Sequence, residues 1–452
     1  MSFAQNQTVK GHYALNFNTL KQIRKLTYDS FERGADALFN LCDALLCEDQ
    51  ARSLPELSQS PFFERAWPSL YQALSNGRIN EERLREIWIK ALLSEVPCAQ
   101  TIWISVDASP IPRPEAETSP DRGIIHVSNL PRAVKPISVG WQFSTVMLLP
   151  QDPSSWIGLL DQRRISTEQT AIEVAIAQLR AMVPLVQRPI IIVADRWYAT
   201  AEFLRACKEL ACQVLIRLKR NRKLYRPRVR LHVKGRAPLD GPLFQGTRPE
   251  TLTGAEAVWM SHDEKGHLVT VSRWSGLHFR QAREVPVRVF CAQRDGAKGS
   301  KRDPRESWFV CLDDHPVSVP LPQIMSSYGR RFSHEHGYRY LKQDLLWAEV
   351  HVRTPEQFER WSWCVGIVMN QLLLARTLGQ ACYRPWESRR QVVTPGQVRR
   401  MMPVILSQVG TPASRCQRRG NSPGRALGFH PEPTPRYDVV IKEPKKPSKP
   451  SG

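Results

Sequence analysis

The chain has 452 residues and a formal net charge of +21 at pH 7, from 64 lysines and arginines against 43 aspartates and glutamates. Its length exceeds what one hydrophobic core serves, so we expect several structural units, and its apolar content of 42% is ordinary for a folded protein. The basic excess favours a polyanionic partner such as nucleic acid, with nonspecific adhesion as the alternative.

Secretion, membrane insertion and zinc binding are not expected. The N-terminus lacks a basic start followed by an apolar stretch, and the longest apolar run, Trp363 to Ala375, is too short to cross a bilayer. The ten cysteines include no CxxC pair, which favours buried reduced thiols over a zinc site. We therefore predict a cytoplasmic protein without a membrane partner.

Residues 1–95 are predicted to form a helical N-terminal domain. Apolar residues recur there at the spacing of one helix face, as in Leu38, Leu41 and Leu45. The domain could serve to bind DNA ends, or it could be a packing or dimerisation element, and the sequence leaves both functions open.

Residues 96–223 are predicted to form the first part of an α/β core. The runs TIWISVD, SVGWQFSTVMLL, PIIIVAD and QVLIRLK are typical of strands, and helices are predicted over 167–183 and 200–210. Strands alternating with helices indicate an α/β sheet. Asp107 and Asp195 follow the first and third of these runs, at strand ends where open sheets place their ligands.

A cluster of cations follows the last of these strands: Lys219, Arg220, Arg222 and Lys223. A solvated charged face is the usual structural interpretation of such a run. Its position directly after a strand of the sheet that carries Asp107 and Asp195 favours contact with phosphate groups.

The rest of the chain divides into three predicted regions. Residues 224–318 contain short β-like runs such as HLVTVSRW and VPVRVFCAQR and are predicted to be a β-rich insertion. Helical texture returns over 319–380, which we predict to be the second part of the core. Residues 381–452 form a basic, Pro-rich C-terminal region, which we expect to be disordered because it lacks the composition of a core.

The segment YGRRFSHEHGYRYLK places Tyr328, Arg331, Glu335 and Lys342 at spacings that fit one helix face. At about 100° per residue, Arg331, Lys342 and Glu335 lie roughly 300°, 320° and 340° around the axis from Tyr328. Such a stripe is a poor core contact, because buried charges are costly unless they are paired. It is a good edge for an active site.

Two strand-end aspartates and a helix glutamate are the ligands that two-metal phosphoryl chemistry needs. Carboxylate oxygens suit Mg²⁺, and two ions about 3.5–4 Å apart activate the attacking oxygen and stabilise the leaving one. The flanking His334 and His336 point about 200° apart on a helix, so they cannot both join Glu335 at one ion. We expect them to be supporting or DNA-facing residues.

These motifs together resemble those of a known family. YGRRFSHEHGYRYLK matches the Tyr-(2)-Arg-(3)-Glu-(6)-Lys signature of a large branch of bacterial insertion-sequence transposases. Those proteins are DDE transposases with a ribonuclease-H-like (retroviral-integrase) core. ISVDAS looks like their first-aspartate strand, and VADRWYAT looks like their second, with Arg196 after the aspartate as is frequent in that branch.

The resemblance implies a fold class, which is α/β. It consists of a ribonuclease-H-like catalytic core interrupted by the β-rich insertion, with a helical N-terminal domain and a disordered basic C-terminal tail. It also implies that Asp107, Asp195 and Glu335 are the catalytic residues and hold two Mg²⁺ ions, for which Mn²⁺ can substitute.

The resemblance implies a set of DNA contacts as well. Tyr328, Arg331 and Lys342 would grip phosphates at the transposon end, and the cations Arg196, Lys219, Arg220, Arg222 and Lys223 are further candidates for DNA binding. The expected partner is double-stranded DNA, namely terminal inverted repeats and target DNA, bound by a homodimer or higher oligomer at the bacterial nucleoid.

Some relatives of this branch stack a flipped base on a tryptophan of the insertion. Trp259, Trp274 and Trp308 are the candidates here, because an unpaired base can stack on an exposed indole. The alternative is that each is a core aromatic.

Two other functions stay open. One is a different nuclease on the same core, such as a ribonuclease H or a junction resolvase. The other is a transposase-derived DNA-binding protein that does not cut, against which the intact carboxylate triad argues.

Overall fold

The computed structural model of the protein describes residues 17–127, 136–228, 238–263, 266–300, 304–378, 385–387, 393–416 and 424–442. The strands are β1 (Phe31–Arg33), β2 (Arg78–Ile79), β3 (Ile102–Pro112), β4 (Gly123–His126), β5 (Ile137–Leu148), β6 (Gly158–Ile165), β7 (Ile190–Ala194), β8 (Gln213–Leu218), β9 (Leu224–Tyr225), β10 (Leu243–Phe244), β11 (Ala257–His262), β12 (Leu268–Phe279), β13 (Ala282–Arg294) and β14 (Glu306–Leu312). The helices are α1 (Phe17–Tyr28), α2 (Ala35–Cys47), α3 (Leu54–Leu57), α4 (Trp67–Asn76), α5 (Glu81–Leu93), α6 (Ala171–Val186), α7 (Ala201–Glu209), α8 (Ile324–Gly329), α9 (Phe332–Gln343), α10 (Pro355–Ala375) and α11 (Pro395–Val409).

A mixed twelve-stranded sheet forms the centre of the molecule, which confirms the predicted α/β class. Its main order is β10-β9-β12-β13-β14-β8-β7-β3-β5-β4, with β6 also paired to β5 and β11 to β12. β3, β7 and β8 are parallel, while β5 runs antiparallel to both β3 and β6. Alternate residues of β3 and β7 enter cores on opposite faces of the sheet, as expected for strands that are buried on both sides.

The strands between residues 224 and 312 extend this same sheet. β14 pairs antiparallel with β8, with Phe309 opposite Arg217, and β13 and β12 follow in turn. The region is β-rich, as its alternating sequence predicts. Its main strands add to the edge of the sheet that carries the aspartates, so the two parts share a hydrogen-bonded framework.

The N-terminal helices join the core of the sheet. Leu38, Leu45 and Trp88 are fully or almost fully buried in the same cluster as residues of β3, β5 and α10. Arg85 of α5 forms an ion pair of 3.0 Å with Asp161 of β6, and both side chains are buried. The N-terminal helices therefore pack against the sheet and α10, which is one of the two functions that the sequence leaves open for residues 1–95.

The signature segment is not one continuous helix, although the spacing of Tyr328, Arg331, Glu335 and Lys342 predicts a single helix face. α8 ends at Gly329, and α9 begins at Phe332 after Arg331 as its N-cap. Gly337 stays inside α9 for a steric reason, since a Cβ there would lie 2.2 Å from Ile157 Cδ1. Glycine thus permits a close approach of α9 to the chain just before β6, which compensates its lower helix propensity.

The expectation of disorder over residues 381–452 is wrong for two described stretches. α11 begins with a capping box between Thr394 and Gln397, and it buries an apolar face that includes Val398 and Met402. Farther on, the backbone N–H of Val440 donates to the Arg122 carbonyl at 2.8 Å. Local Arg and Pro content concealed a helical period, and residues 443–452 of the predicted tail lie outside the described residues.

Across the described ranges, none of the helices combines the length and apolar character needed to cross a bilayer.

Candidate active site

The two aspartates lie side by side on neighbouring strands. β3 and β7 pair in parallel with Val106 opposite Ala194, so the next residues along both strands are Asp107 and Asp195. Asp195 follows the last residue of β7, as predicted. Asp107 lies within β3, which differs from the prediction because β3 continues to Pro112 by pairing with β5 alone. The functional edge is thus the point where the parallel pairing stops.

Arg331 joins the helix glutamate to the first aspartate. Its Nη2 donates to Asp107 Oδ2 at 2.7 Å, and its Nη1 donates to Glu335 Oε1 at 2.7 Å. The break between α8 and α9 places this guanidinium at the start of α9, one turn before Glu335. The structure therefore brings Glu335 to the same edge as Asp107 and Asp195, with a cation between two of the carboxylates.

A buried polar network holds α9 against the sheet. The His334 ring lies within hydrogen-bond distance of Ser105 on β3, at 2.5 Å, and of Thr145 on β5, at 3.1 Å. Tyr338 hydrogen-bonds to Thr145 at 2.6 Å and donates to the Asp107 carbonyl at 3.1 Å. His334 is thus a supporting residue, as expected, and it fixes the helix that carries Glu335.

The charges of the site perturb one another. Burial raises the pKa of Asp107 to about 6, with Arg331 opposing the rise and Asp195 and Glu335 adding to it. Burial disfavours the charged form of Arg331, but Asp107, Tyr328 and the other carboxylates raise its pKa above the ordinary value. A cation near Asp107 therefore favours the ionised form of this carboxylate.

Lys342 and Tyr328, the other two residues of the signature, contact β3 and β14 respectively. Lys342 Nζ donates to the Pro110 carbonyl at 2.9 Å, and burial lowers its pKa to about 8 although Asp107 opposes the change. The Tyr328 ring packs on Phe309 of β14 with centroids 5.0 Å apart. Burial raises the pKa of its phenol, while the charges of Arg331 and Arg217 oppose the rise.

The cations predicted to bind DNA separate into different environments. Arg196, which follows Asp195, is exposed, and so is Lys223. Lys219 and Arg220 line a groove next to β8 and β14, whereas the Arg222 guanidinium lies 6.0 Å from the centroid of the Phe279 ring. Arg196, Lys219 and Arg220 therefore line one groove, and its lining does not include Arg222 or Lys223.

Two of the three tryptophans proposed for base stacking are core residues. Trp274 and Trp308 are each 5% exposed, and they stack on each other with centroids 5.8 Å apart. This placement argues against base stacking for both, because their rings are already covered. Trp259 is partly buried on β11 and packs at the margin of the second core.

Sequence reasoning missed three neighbours of the carboxylates. Tyr198 is buried, and burial followed by the charges of Asp107 and Asp195 raises the pKa of its phenol well above the usual value. Arg217 lies on β8 one residue beyond the register pair Ala194 and Ile216, as Asp195 does on the β7 side. Trp197 is 65% exposed two residues after Asp195. A cation within the apolar strand QVLIRL was the signal that could have identified Arg217.

The donors suit a hard divalent cation, but they are not assembled around one position. Within the described ranges, no group of three His, Cys, Asp or Glu side chains is placed to hold a metal ion. Asp107, Asp195 and Glu335 supply carboxylate oxygens, the ligands that Mg²⁺ prefers. Arg331 joins Glu335 to Asp107 by hydrogen bonds, and the strand register places Asp195 beside Asp107.

Comparison with solved structures gives a distant similarity. The chain resembles a piggyBac transposase in a synaptic complex with hairpin DNA, with 8% sequence identity and a TM-score of 0.42, over 89% of this chain and 84% of that chain. A similarity of this size carries no argument about fold or function. No curated protein sequence matches the chain.

A family match in sequence is more informative. The profile of the DDE superfamily endonucleases matches residues 27–278, a stretch that contains Asp107 and Asp195 and ends before Glu335. This stretch is more than half of the 452 residues. The chain therefore belongs to the DDE superfamily endonuclease family.

Proposed function

We propose that this DDE superfamily endonuclease is a transposase of the bacterial insertion-sequence branch with the Tyr-(2)-Arg-(3)-Glu-(6)-Lys signature. It would cut DNA at the ends of an insertion sequence and join the freed 3′-hydroxyl to target DNA. The observation that carries the proposal is the contact of Arg331 with both Asp107 and Glu335, because it brings the signature segment to the strand-end aspartates.

The strand order supports a ribonuclease-H-like core for this activity. The sequence β6-β5-β3-β7-β8 has β3 at its centre and β5 as its one antiparallel member, and α9 covers the edge where Asp107 and Asp195 meet. In this proposal the strands from β9 to β14 are the insertion, although they continue the core sheet through β8 and β14.

Asp107, Asp195 and Glu335 would hold two Mg²⁺ ions, or Mn²⁺ in their place. When bound, the ions would supply activation of the attacking oxygen and stabilisation of the leaving oxygen. The chain's own groups would position the DNA, with Arg331, Lys342 and Tyr328 contacting phosphates of the transposon end. The network of His334, Ser105 and Thr145 would hold α9 in place during these steps.

The partners follow from the same proposal. Double-stranded terminal repeats and target DNA would bind to the basic protein, and one active site for each end requires at least a dimer. The helices of residues 17–93, which pack on the core, are candidates for reading the end sequence.

The test is cleavage of DNA that carries the sequences flanking this gene, in the presence of Mg²⁺. The wild type should cut at a pair of inverted repeats, and Asp107→Asn, Asp195→Asn and Glu335→Gln should each abolish cutting while DNA binding survives. Lys342→Ala should weaken engagement of the ends without abolishing the fold.

Two outcomes would contradict the proposal. Specific binding without cutting by the wild type would favour a DNA-binding protein that lost its activity, for which the absence of an assembled three-ligand site among the described residues is the motivating observation. Cutting of RNA–DNA hybrids without strand joining would favour a ribonuclease H.

A further inference from the structure

β11 is an outer strand of the large sheet, and its far edge has no strand beside it in the described part of the chain. It pairs antiparallel with β12 alone, with Trp259 opposite Val271. The free edge of an outer strand presents unpaired backbone donors and acceptors, which another strand can satisfy. Proteins commonly block such an edge with charged side chains or proline. β11 has the sequence AVWMSH, which contains neither proline nor an acidic residue, lysine or arginine.

Two other outer strands of the same sheet have their edges covered. On β6, the Leu159 backbone N–H donates to Asn370 Oδ1 at 2.8 Å, and the Leu159 carbonyl accepts from Asn370 Nδ2 at 2.9 Å. Beside β4, the Val440 backbone N–H donates to the Arg122 carbonyl at 2.8 Å. The chain thus covers these two edges with its own groups, and β11 differs from both.

The backbone groups of alternate β11 residues point away from β12. Just beyond β11, and in the same register, the Asp263 backbone N–H donates to the His267 carbonyl at 2.9 Å. Hydrogen-bonded and non-hydrogen-bonded pairs alternate along an antiparallel ladder. The residues whose N–H and C=O groups point away from β12 are therefore Val258, Met260 and His262. The His262 carbonyl also accepts a long contact of 3.4 Å from the Ser261 hydroxyl.

The same three residues expose their side chains on one face of the strand. Val258 is 54% exposed and Met260 is 64% exposed, and His262 is exposed as well. Trp259, which lies between the first two, is partly buried on the opposite face. A single exposed apolar residue is ordinary, whereas two on one face of an open edge strand add an apolar contact to the free backbone groups.

We propose that β11 pairs antiparallel with β11 of a second copy of this chain, across a two-fold axis at Met260. Met260 then lies opposite the partner's Met260, and Val258 lies opposite the partner's His262. In this register each residue with outward backbone groups exchanges both hydrogen bonds with the residue opposite it. The two twelve-stranded sheets become continuous through the contact.

A second copy is the occupant that this edge fits, because the edge is complementary to itself. A two-fold interface uses the same surface on both subunits, so a charge at its axis would face its own copy. Met260 at the axis is uncharged, and both of its neighbours on the exposed face are also neither acidic nor strongly basic. The inference rests on the proposed function for its setting, because two subunits that each act on one DNA end need a contact between them.

Disulfide cross-linking tests the register in the full-length protein without DNA or Mg²⁺. Opposite residues of a hydrogen-bonded pair have Cα atoms about 5.5 Å apart, which suits a disulfide. Under a mild oxidant, Met260→Cys should form a cross-linked dimer that a reducing agent dissociates. Every variant carries serine at the exposed Cys98 and Cys416, and at Cys382, which lies outside the described residues.

Val258→Cys is the matched control for Met260→Cys, because the two positions have similar exposure on the same strand. The two copies of residue 258 would be displaced by four residues, about 13 Å along the strands, so this variant should give about tenfold less dimer. A mixture of Val258→Cys with His262→Cys should restore the cross-link, because these positions lie opposite each other in the proposed register.

Sedimentation of the uncross-linked protein tests the pairing independently. A six-residue edge is smaller than a standard interface, so association should be reversible and should depend on concentration. Met260→Lys places like charges at the axis and should raise the dimer dissociation constant at least about tenfold. Ile124→Lys is its control, since Ile124 is 55% exposed on β4, another outer strand of the sheet. It should leave association unchanged, and both variants should keep the melting temperature of the wild type.

Three results would overturn the pairing. They are equal cross-linking of Met260→Cys and Val258→Cys, a wild type that stays monomeric at all concentrations, and unchanged association of Met260→Lys. If the pairing is found but the flanking DNA is never cut, the interface stands and the transposase proposal fails. If the DNA is cut and Met260→Cys does not cross-link, the transposase proposal stands and this interface fails.

Discussion

Buried arginines and groove arginines differ in their surroundings, although both are counted in the net charge of +21. Arg24 is 1% exposed and forms an ion pair of 2.8 Å with the buried Asp43. Arg196 and Arg305 in the groove are exposed. Some of the cations therefore hold helices together, whereas the exposed cations of the groove are available to a polyanion.

The largest effect is expected from removing a buried guanidinium. Arg24→Met leaves the Asp43 carboxylate buried without its cation, which should lower the free energy of unfolding by about 3–5 kcal/mol. Urea unfolding measures the loss. The double variant Arg24→Met with Asp43→Leu should recover most of it, because no buried charge remains. A loss below about 1 kcal/mol in the single variant would contradict the structural assignment of Arg24.

Arg331 is largely buried like Arg24, but its partners are the carboxylates of the candidate active site. Arg331→Ala leaves Asp107 close to two like charges, and we expect a loss of about 1–3 kcal/mol in metal-free buffer. Mg²⁺ can replace the missing positive charge, so it should raise the melting temperature of this variant more than that of the wild type. An equal rise in both proteins would separate Arg331 from the metal site.

Groove cations should change binding and spare stability. Arg196→Gln with Arg305→Gln should lower the slope of log affinity against log salt for a single strand by about 1.4, from about 0.7 for each lost phosphate contact. The free energy of unfolding should stay within about 0.5 kcal/mol of the wild type. Lys21→Gln with Lys90→Gln removes two exposed cations from the N-terminal helices and should leave the slope unchanged. A flat slope in both double variants would remove the groove from the DNA path.

The smallest effect is expected at an exposed helix pair. Lys25 and Asp29 form an ion pair four residues apart at the end of α1, with the lysine 59% exposed. Lys25→Ala should cost at most about 1 kcal/mol, because solvent screens the interaction. Urea unfolding gives this value beside that of Arg24→Met. A loss as large as that of Arg24→Met would remove the distinction between the two groups of cations.

Strand prediction was the most successful part of the sequence analysis, since TIWISVD and PIIIVAD form β3 and β7. Their β-branched runs carry a local signal that tertiary contacts did not reverse. The prediction of one helix face was wrong at its N-terminal end, because α8 ends at Gly329 and α9 begins only after Arg331. Tyr328 packs on Phe309, while Arg331 contacts Asp107. α11 was missed because Arg and Pro in its neighbourhood concealed its apolar period.

The sequence by itself determined the residue types of the site and the alternation of strands and helices, because local propensity and spacing are properties of short segments. Only the tertiary structure decided which of these residues meet. The parallel pairing of β3 with β7 places Asp107 beside Asp195, and the pairing of β8 with β14 builds the groove. It also separates Trp197, which is exposed, from Trp274 and Trp308, which are buried. Burial depends on packing between segments that are distant in the sequence, so the residues next to each tryptophan do not predict it.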